Sequence, residues 1–76
     1  MADASETLLG MAAERPDPRL VTNWLTAYLA ARPKKAQKGA LAAIASEMEK
    51  KKADPAHQRA ASLVLNVVKK LQDKAG

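Results

Sequence analysis

The sequence predicts an all-α fold, a compact bundle of three to four antiparallel helices, and three observations lead to it. Prolines divide the chain into segments long enough for helices. Within these segments the apolar residues recur every three to four positions, which is the period of an α-helix. No segment shows the strict alternation of apolar and polar residues that is typical of a strand. We predict helices at 4–14, 18–31, 34–52 and 55–73 in a single domain spanning 1–76, with 1–16 left open as a loosely docked helix.

Proline and aspartate mark the predicted helix ends. Asp-Pro pairs at 17–18 and 54–55 each place a capping carboxylate before a proline at the first helical position. Pro16 and Pro33 end the first and second helices, because proline lacks the backbone N–H that a continuing helix needs. Asp3 is the predicted cap of the first helix. The short connections that result favour an antiparallel order of consecutive helices.

The second and third helices each carry an apolar face. The face of the second covers about half of its circumference and consists of Leu20, Val21, Trp24, Leu25, Tyr28 and Leu29. The third has a core strip of Leu41, Ile44, Ala45 and Met48, beside a flatter strip of Ala36, Ala40 and Ala43. An antiparallel turn at Pro33 would bring Trp24 and Tyr28 towards the small residues, where large rings pack without strain.

The fourth helix has a wider apolar face than a peripheral helix needs. An ordinary core stripe is formed by Ala60, Leu63, Val64, Val67 and Leu71. Ala61, Leu65 and Val68 extend it to about 200°, whereas a little over 100° suffices in a small bundle. Either the first helix covers this extra face, or another chain does, which includes a homodimer. In the second case Ala61, Leu65 and Val68 are the apolar contact for a partner.

The sequence carries no catalytic signature. It contains no cysteine, which excludes a disulfide framework and a thiolate metal site. The single histidine, His57, has no second histidine with which to share a metal. Gly10, Gly39 and Gly76 are isolated, so there is no glycine-rich phosphate loop. We therefore predict that the protein is not an enzyme and has no catalytic residue, no metal ligand and no cofactor.

The termini and the apolar runs bear on location. The first six residues are acidic and lack the basic start of a secretory signal. No apolar run approaches the roughly 20 residues that span a bilayer. We expect a cytoplasmic protein, or a nuclear one in a eukaryote, without membrane partners.

Charge is distributed unevenly along the chain. Residues 1–30 have two basic and four acidic residues, a net charge of −2, whereas residues 31–76 have eleven basic and four acidic residues, a net charge of +7. An antiparallel bundle gathers the end of the second helix, the start of the third and the end of the fourth at one pole. The cations of this basic pole are Arg32, Lys34, Lys35, Lys38, Lys69, Lys70 and Lys74. Because cations at a helix N-terminus oppose the helix dipole, Lys34, Lys35 and Lys38 indicate a role outside the fold.

Two kinds of anionic partner fit this charge. We expect first a protein–protein interaction module, a docking, adaptor or regulatory domain whose basic pole meets an acidic protein. The alternative is a small DNA- or RNA-binding protein that contacts mainly phosphates. In its favour, residues 41–48 and 59–66 resemble the two helices of a helix-turn-helix repressor headpiece. The connection 49–55 departs from that pattern, because it lacks the tight glycine-containing turn and is several residues longer.

Overall fold

The computed structural model of the protein describes residues 4–75 and contains four helices. These are α1 (Ala4–Glu14), α2 (Pro18–Ala30), α3 (Lys34–Lys52) and α4 (Gln58–Ala75). Residues 4–75 contain no strand, which confirms the all-α prediction. The Cα radius of gyration is 11.4 Å, the value of about 11 Å that is typical of a compact chain of this length. The predicted cap Asp3 lies outside the described residues.

The start of α2 is the one that the sequence predicts. Asp17 has extended backbone dihedrals, and its carboxylate accepts a hydrogen bond from the Arg19 backbone N–H at 3.0 Å. Pro18 occupies the first turn, where its missing N–H costs no hydrogen bond. The helix ends at Ala30, one residue before the predicted end.

The start of α4 corrects the prediction. The Asp54 carboxylate accepts a hydrogen bond from the Ala56 N–H at 3.0 Å and lies 2.9 Å from His57 Nδ1. The His57 N–H donates to the Asp54 carbonyl at 2.9 Å, which closes a separate turn. The first α-helical bond then runs from the Ala61 N–H to the His57 carbonyl. The predicted start at Pro55 is therefore wrong by three residues, since Asp54 caps this turn and the helix begins after it.

The core is arranged around α4, which packs against each of the other three helices. Its buried residues are Ala60, Ala61, Val64, Leu65, Val67 and Val68. The other helices each contribute three apolar side chains to the same cluster: Leu8, Leu9 and Ala12 from α1, Val21, Leu25 and Leu29 from α2, and Leu41, Ile44 and Met48 from α3. A helix that is surrounded on three sides needs the broad apolar face that the sequence shows.

The extra apolar face of α4 is covered inside the domain. It packs on α4, and its Leu8 is fully buried in the shared cluster. Ala61, Leu65 and Val68 are 0%, 3% and 0% exposed. Of the two alternatives that the sequence leaves open, the structure has the internal one, because these side chains lie inside the domain.

The predicted packing of aromatic rings on the alanines of α3 is wrong in part. Helices α2 and α3 make little direct contact, since α4 takes the buried face of both. As a result Ala36 and Ala43 are exposed, and Ala40 alone of that strip is partly buried against the core. Trp24 and Tyr28 are partly buried and pack at the edge of the core.

The two capping aspartates, Asp17 and Asp54, predict how the stability of the fold decreases at acidic pH. A backbone N–H lowers the pKa of each carboxyl below its ordinary value of 3.8, from Arg19 for Asp17 and from Ala56 for Asp54, where the His57 ring adds to the effect. A lowered folded-state pKa gives stability that is present above the unfolded value and lost as the pH falls through the folded one. We expect the double variant Asp17→Asn/Asp54→Asn to lose less of its melting temperature than the wild type below pH 3.8.

Circular dichroism melts between neutral and strongly acidic pH measure this dependence. The control is Asp73→Asn, which changes an exposed aspartate near the end of α4, away from both caps. If the melting temperatures of the double variant and the wild type fall equally steeply with decreasing pH, the two carboxylates do not contribute this stability.

Candidate anion-binding interface

The end of α2, the start of α3 and the end of α4 meet at one pole of the molecule, as the antiparallel arrangement predicts. Side chains from all three helices line one surface depression there: Thr26, Leu29 and Ala30 of α2, Gln37 and Leu41 of α3, and Leu71 and Lys74 of α4. The topology therefore converts distant segments of sequence into one continuous surface.

Four of the predicted lysines share a cleft at this pole. Lys34, Lys35 and Lys38 of α3 and Lys74 of α4 line it together with Gln37, and its volume is about 550 Å³. All four lysines are exposed. Within the described residues no acidic side chain lines this cleft, so it is a site of concentrated positive charge.

Within residues 4–75 no ion pair neutralises the charge of this cleft. Over residues 4–75 the ion pairs are Arg19 with Asp17 at 3.5 Å, Lys50 with Glu47 at 3.7 Å, and His57 with Asp54 at 2.9 Å if the ring is protonated. None of them involves a lysine of the cleft. The last turn of α3 is different, because Lys50 there already has an acidic partner.

Lys69 and Lys70 do not line the cleft. Lys70 lines a neighbouring depression of about 410 Å³ with Thr22, Val67, Leu71, Asp73 and Lys74. Asp73 offsets part of the positive charge at that place. Lys69 is exposed on α4 and lines neither depression. The structure thus brings together four of the six predicted lysines.

Gln37 holds the turn between α2 and α3, a role that the sequence reasoning missed. Its Nε2 donates to the Leu29 carbonyl at 2.9 Å and to the Arg32 carbonyl at 3.2 Å. The Leu29 carbonyl lies in the last turn of α2, where it also accepts from the Arg32 N–H at 3.0 Å, and the Arg32 carbonyl lies in the connection to α3. The sequence signal for this role was a polar side chain in the first helical turn after Pro33, because such a side chain can reach back to the carbonyls of the preceding helix end.

The start of α3 has no side-chain cap. Pro33 occupies the cap position and makes no capping hydrogen bond, and Lys34 and Lys35 stand where acidic residues are favourable. The local electrostatics therefore disfavour these two lysines, as the sequence indicates.

Arg32, the seventh predicted residue, follows α2 and stacks on a side chain of that helix. Its guanidinium carbon lies 3.7 Å from the centroid of the Tyr28 ring, and its Nη1 donates to the Tyr28 carbonyl at 3.2 Å. The Tyr28 ring stacks on Trp24 with a centroid distance of 5.0 Å and an angle of 16°. Sequence reasoning assigned the rings to the core, although their spacing of four residues, continued by Arg32, is the signal for such a stack.

The predicted apolar contact on α4 is withdrawn. Because Ala61, Leu65 and Val68 are buried under the other helices, they offer no surface to a partner. Among residues 4–75 the exposed large apolar residue is Leu20 on α2, which is 37% exposed. It lies one turn before Trp24, so the outer side of α2 runs from Leu20 along the stack to the basic pole.

Metal-ligand groups and membrane-spanning helices are two further features that bear on function. Residues 4–75 contain no group of three or more histidine, cysteine, aspartate or glutamate side chains that could hold a metal ion. No helix in that range is both long and apolar enough to cross a membrane.

The chain matches no protein-family model, and comparisons with curated proteins and with solved structures give no match.

Proposed function

We propose that the protein is a non-enzymatic docking module whose basic pole binds an acidic surface of a partner protein. The observation that supports this most is the cleft in which Lys34, Lys35, Lys38 and Lys74 face one space without an acidic neighbour among the described residues. Four like charges around one cleft create a strong local positive potential. A carboxylate-bearing partner lowers the free energy of this arrangement.

A protein partner is favoured by the side chains that adjoin the lysines. Tryptophan, tyrosine and arginine are the residue types enriched at the energetic centres of protein interfaces, and Trp24, Tyr28 and Arg32 form one stack leading to the pole. Leu29, Leu41 and Leu71 line the depression that α2, α3 and α4 share at the pole. The pole therefore combines charge with apolar surface, which is the composition of a protein interface.

Removing the α3 lysines tests the proposal. We expect Lys34→Gln/Lys35→Gln/Lys38→Gln to bind a fluorescent oligoglutamate peptide about tenfold more weakly, since exposed ion pairs contribute a few tenths to 1 kcal/mol each. Its thermal stability should stay the same or rise, because the three cations oppose the dipole of α3. Fluorescence anisotropy measures binding and circular dichroism measures the melting temperature.

The matched control removes the same charge from the other end of α3. Lys50→Gln/Lys51→Gln/Lys52→Gln has the same net charge as the pole variant, but its lysines lie in the last turn. We expect this control to keep most of the binding. Equal losses in both triples would mean that net charge alone attracts the peptide, and unfolding of the pole variant would mean that those lysines are structural.

Nucleic acid is the second candidate, and the exposed face of α4 favours it. That face carries residue types that read bases and contact phosphates: Gln58, Arg59, Asn66, Lys69 and Lys70. The turn 53–57 joins α3 to α4, the two helices that contain the segments 41–48 and 59–66 resembling a helix-turn-helix headpiece.

Competition between two anionic probes separates the candidates. The oligoglutamate peptide is titrated against labelled duplex and single-stranded DNA and RNA at rising salt, because phosphate contacts make affinity steeply salt-dependent. If duplex binds where the peptide does not, and Arg59→Gln abolishes this binding while the pole variant keeps it, nucleic acid replaces the acidic protein. Binding of the peptide that depends on the pole lysines favours the protein partner.

A further inference from the structure

Arg32 differs from the other cations of the pole because the structure holds its side chain in place. The Tyr28 ring lies 3.7 Å below the guanidinium carbon, and the Tyr28 carbonyl accepts a hydrogen bond from Nη1. Trp24 supports the other side of the Tyr28 ring. The exposed lysines of the cleft have no partner in residues 4–75 that would fix them in this way.

The free edge of the guanidinium points to a specific ligand geometry. Nη1 is occupied by the Tyr28 carbonyl, whereas Nε and Nη2 have no acceptor within residues 4–75. In that part of the chain no completely buried side-chain nitrogen lacks a hydrogen-bond partner, so these two nitrogens of the partly buried Arg32 are not sealed from solvent. Their N–H groups point along one edge of the planar guanidinium, which matches the two oxygens of a carboxylate.

We propose that Arg32 is the specificity-determining residue of the pole and binds a glutamate or aspartate carboxylate of the partner through Nε and Nη2. Tyr28 and Trp24 are positioning residues that hold the guanidinium ready. This inference rests on the proposed docking function and adds its ligand chemistry, a paired contact to one carboxylate next to diffuse attraction by lysines. Side-chain order that exists before binding reduces the entropy lost on binding.

Conservative substitutions separate this role from simple charge. Arg32→Lys keeps the net charge and removes the fork of donors, and we expect it to weaken oligoglutamate binding about tenfold. Because the charge is unchanged, the salt dependence of binding should keep the wild-type slope. The matched control is Arg19→Lys in the first turn of α2, far from the pole, whose arginine is 88% exposed. This control should bind as the wild type does.

Substitutions of Tyr28 test the positioning role. Tyr28→Phe keeps the ring under the guanidinium and should bind like the wild type, whereas Tyr28→Leu removes the ring and should bind several-fold more weakly at unchanged net charge. Trp24 is the single tryptophan, so its fluorescence reports both the stack and the folded state. If Tyr28→Leu fails to fold, Arg32→Lys still decides.

The outcomes distinguish this inference from the proposed function. If the wild type binds oligoglutamate and Arg32→Lys binds equally well, the carboxylate-selective role is wrong while the docking proposal stands. If the wild type does not bind the peptide at low salt, the docking proposal and this inference both fall. Weakened peptide binding by Arg32→Lys and Tyr28→Leu, with Arg19→Lys and Tyr28→Phe unaffected, supports both.

Discussion

Leu65→Asp unfolds the domain. Leu65 is 3% exposed and belongs to the cluster that α4 shares with the other helices. An aspartate at this position is either buried as an unpaired charge or protonated at a cost, and a polar burial of this kind destabilises a fold by more than about 4 kcal/mol. The core of so small a domain rarely supplies more than about 3–5 kcal/mol. The variant should therefore show a largely unfolded circular dichroism spectrum at neutral pH.

The same substitution at an exposed leucine is the control. Leu20 is 37% exposed on α2, so Leu20→Asp leaves the core intact and should change the melting temperature little. If Leu65→Asp stays folded and loses only self-association or partner capture, the broad face of α4 is an interface and the internal packing is wrong.

Helix positions follow closely from the sequence because they depend on local chemistry. The start of α2 is fixed by the hydrogen bond that the Asp17 carboxylate accepts and by the ring of Pro18, which restricts the backbone of the first helical residue. The start of α4 could not be obtained in this way, since the same Asp-Pro pair can cap a helix or close a turn. At Asp54 the deciding contact is the approach of the His57 side chain, together with the His57 N–H bond to the Asp54 carbonyl. Neither is encoded in the pair itself.

Packing order was harder to predict than helix position. The sequence shows that α4 has excess apolar surface, and it does not show which element covers it. Placing α4 in the centre explains why Ala61 and Val68 are buried, and also why Ala36 and Ala43 face solvent. Consecutive helices do pack on one another in the pairs α1–α2 and α3–α4, whereas α2 and α3 make little contact and each packs on α4. That choice depends on the summed burial of all four helices.

The location of the basic pole was predictable from the topology, but the different side-chain contacts of its cations were not. Antiparallel order alone places Lys34, Lys38 and Lys74 at the same end, and they line one cleft. The contact that distinguishes Arg32 depends on a rotamer, with the guanidinium folded back over Tyr28. A lysine at this position would carry the same charge without the planar group that stacks on the ring. Charge patterns therefore locate such a surface, while side-chain geometry shows which cation is held ready.

Leu8→Ala tests whether α1 is an integral part of the fold or a loosely docked helix. Leu8 is fully buried, so its truncation leaves a cavity against α4 and should destabilise the domain by about 2–5 kcal/mol. Chemical denaturation measures the change, and Met11→Ala, a truncation at a partly buried position of the same helix, should cost less. A near-neutral Leu8→Ala would mean that residues 18–75 fold without α1. In that case the part of α4 on which α1 packs would become exposed whenever α1 leaves, so the stability of the Leu8 variant decides whether that part of α4 can serve as a surface at all.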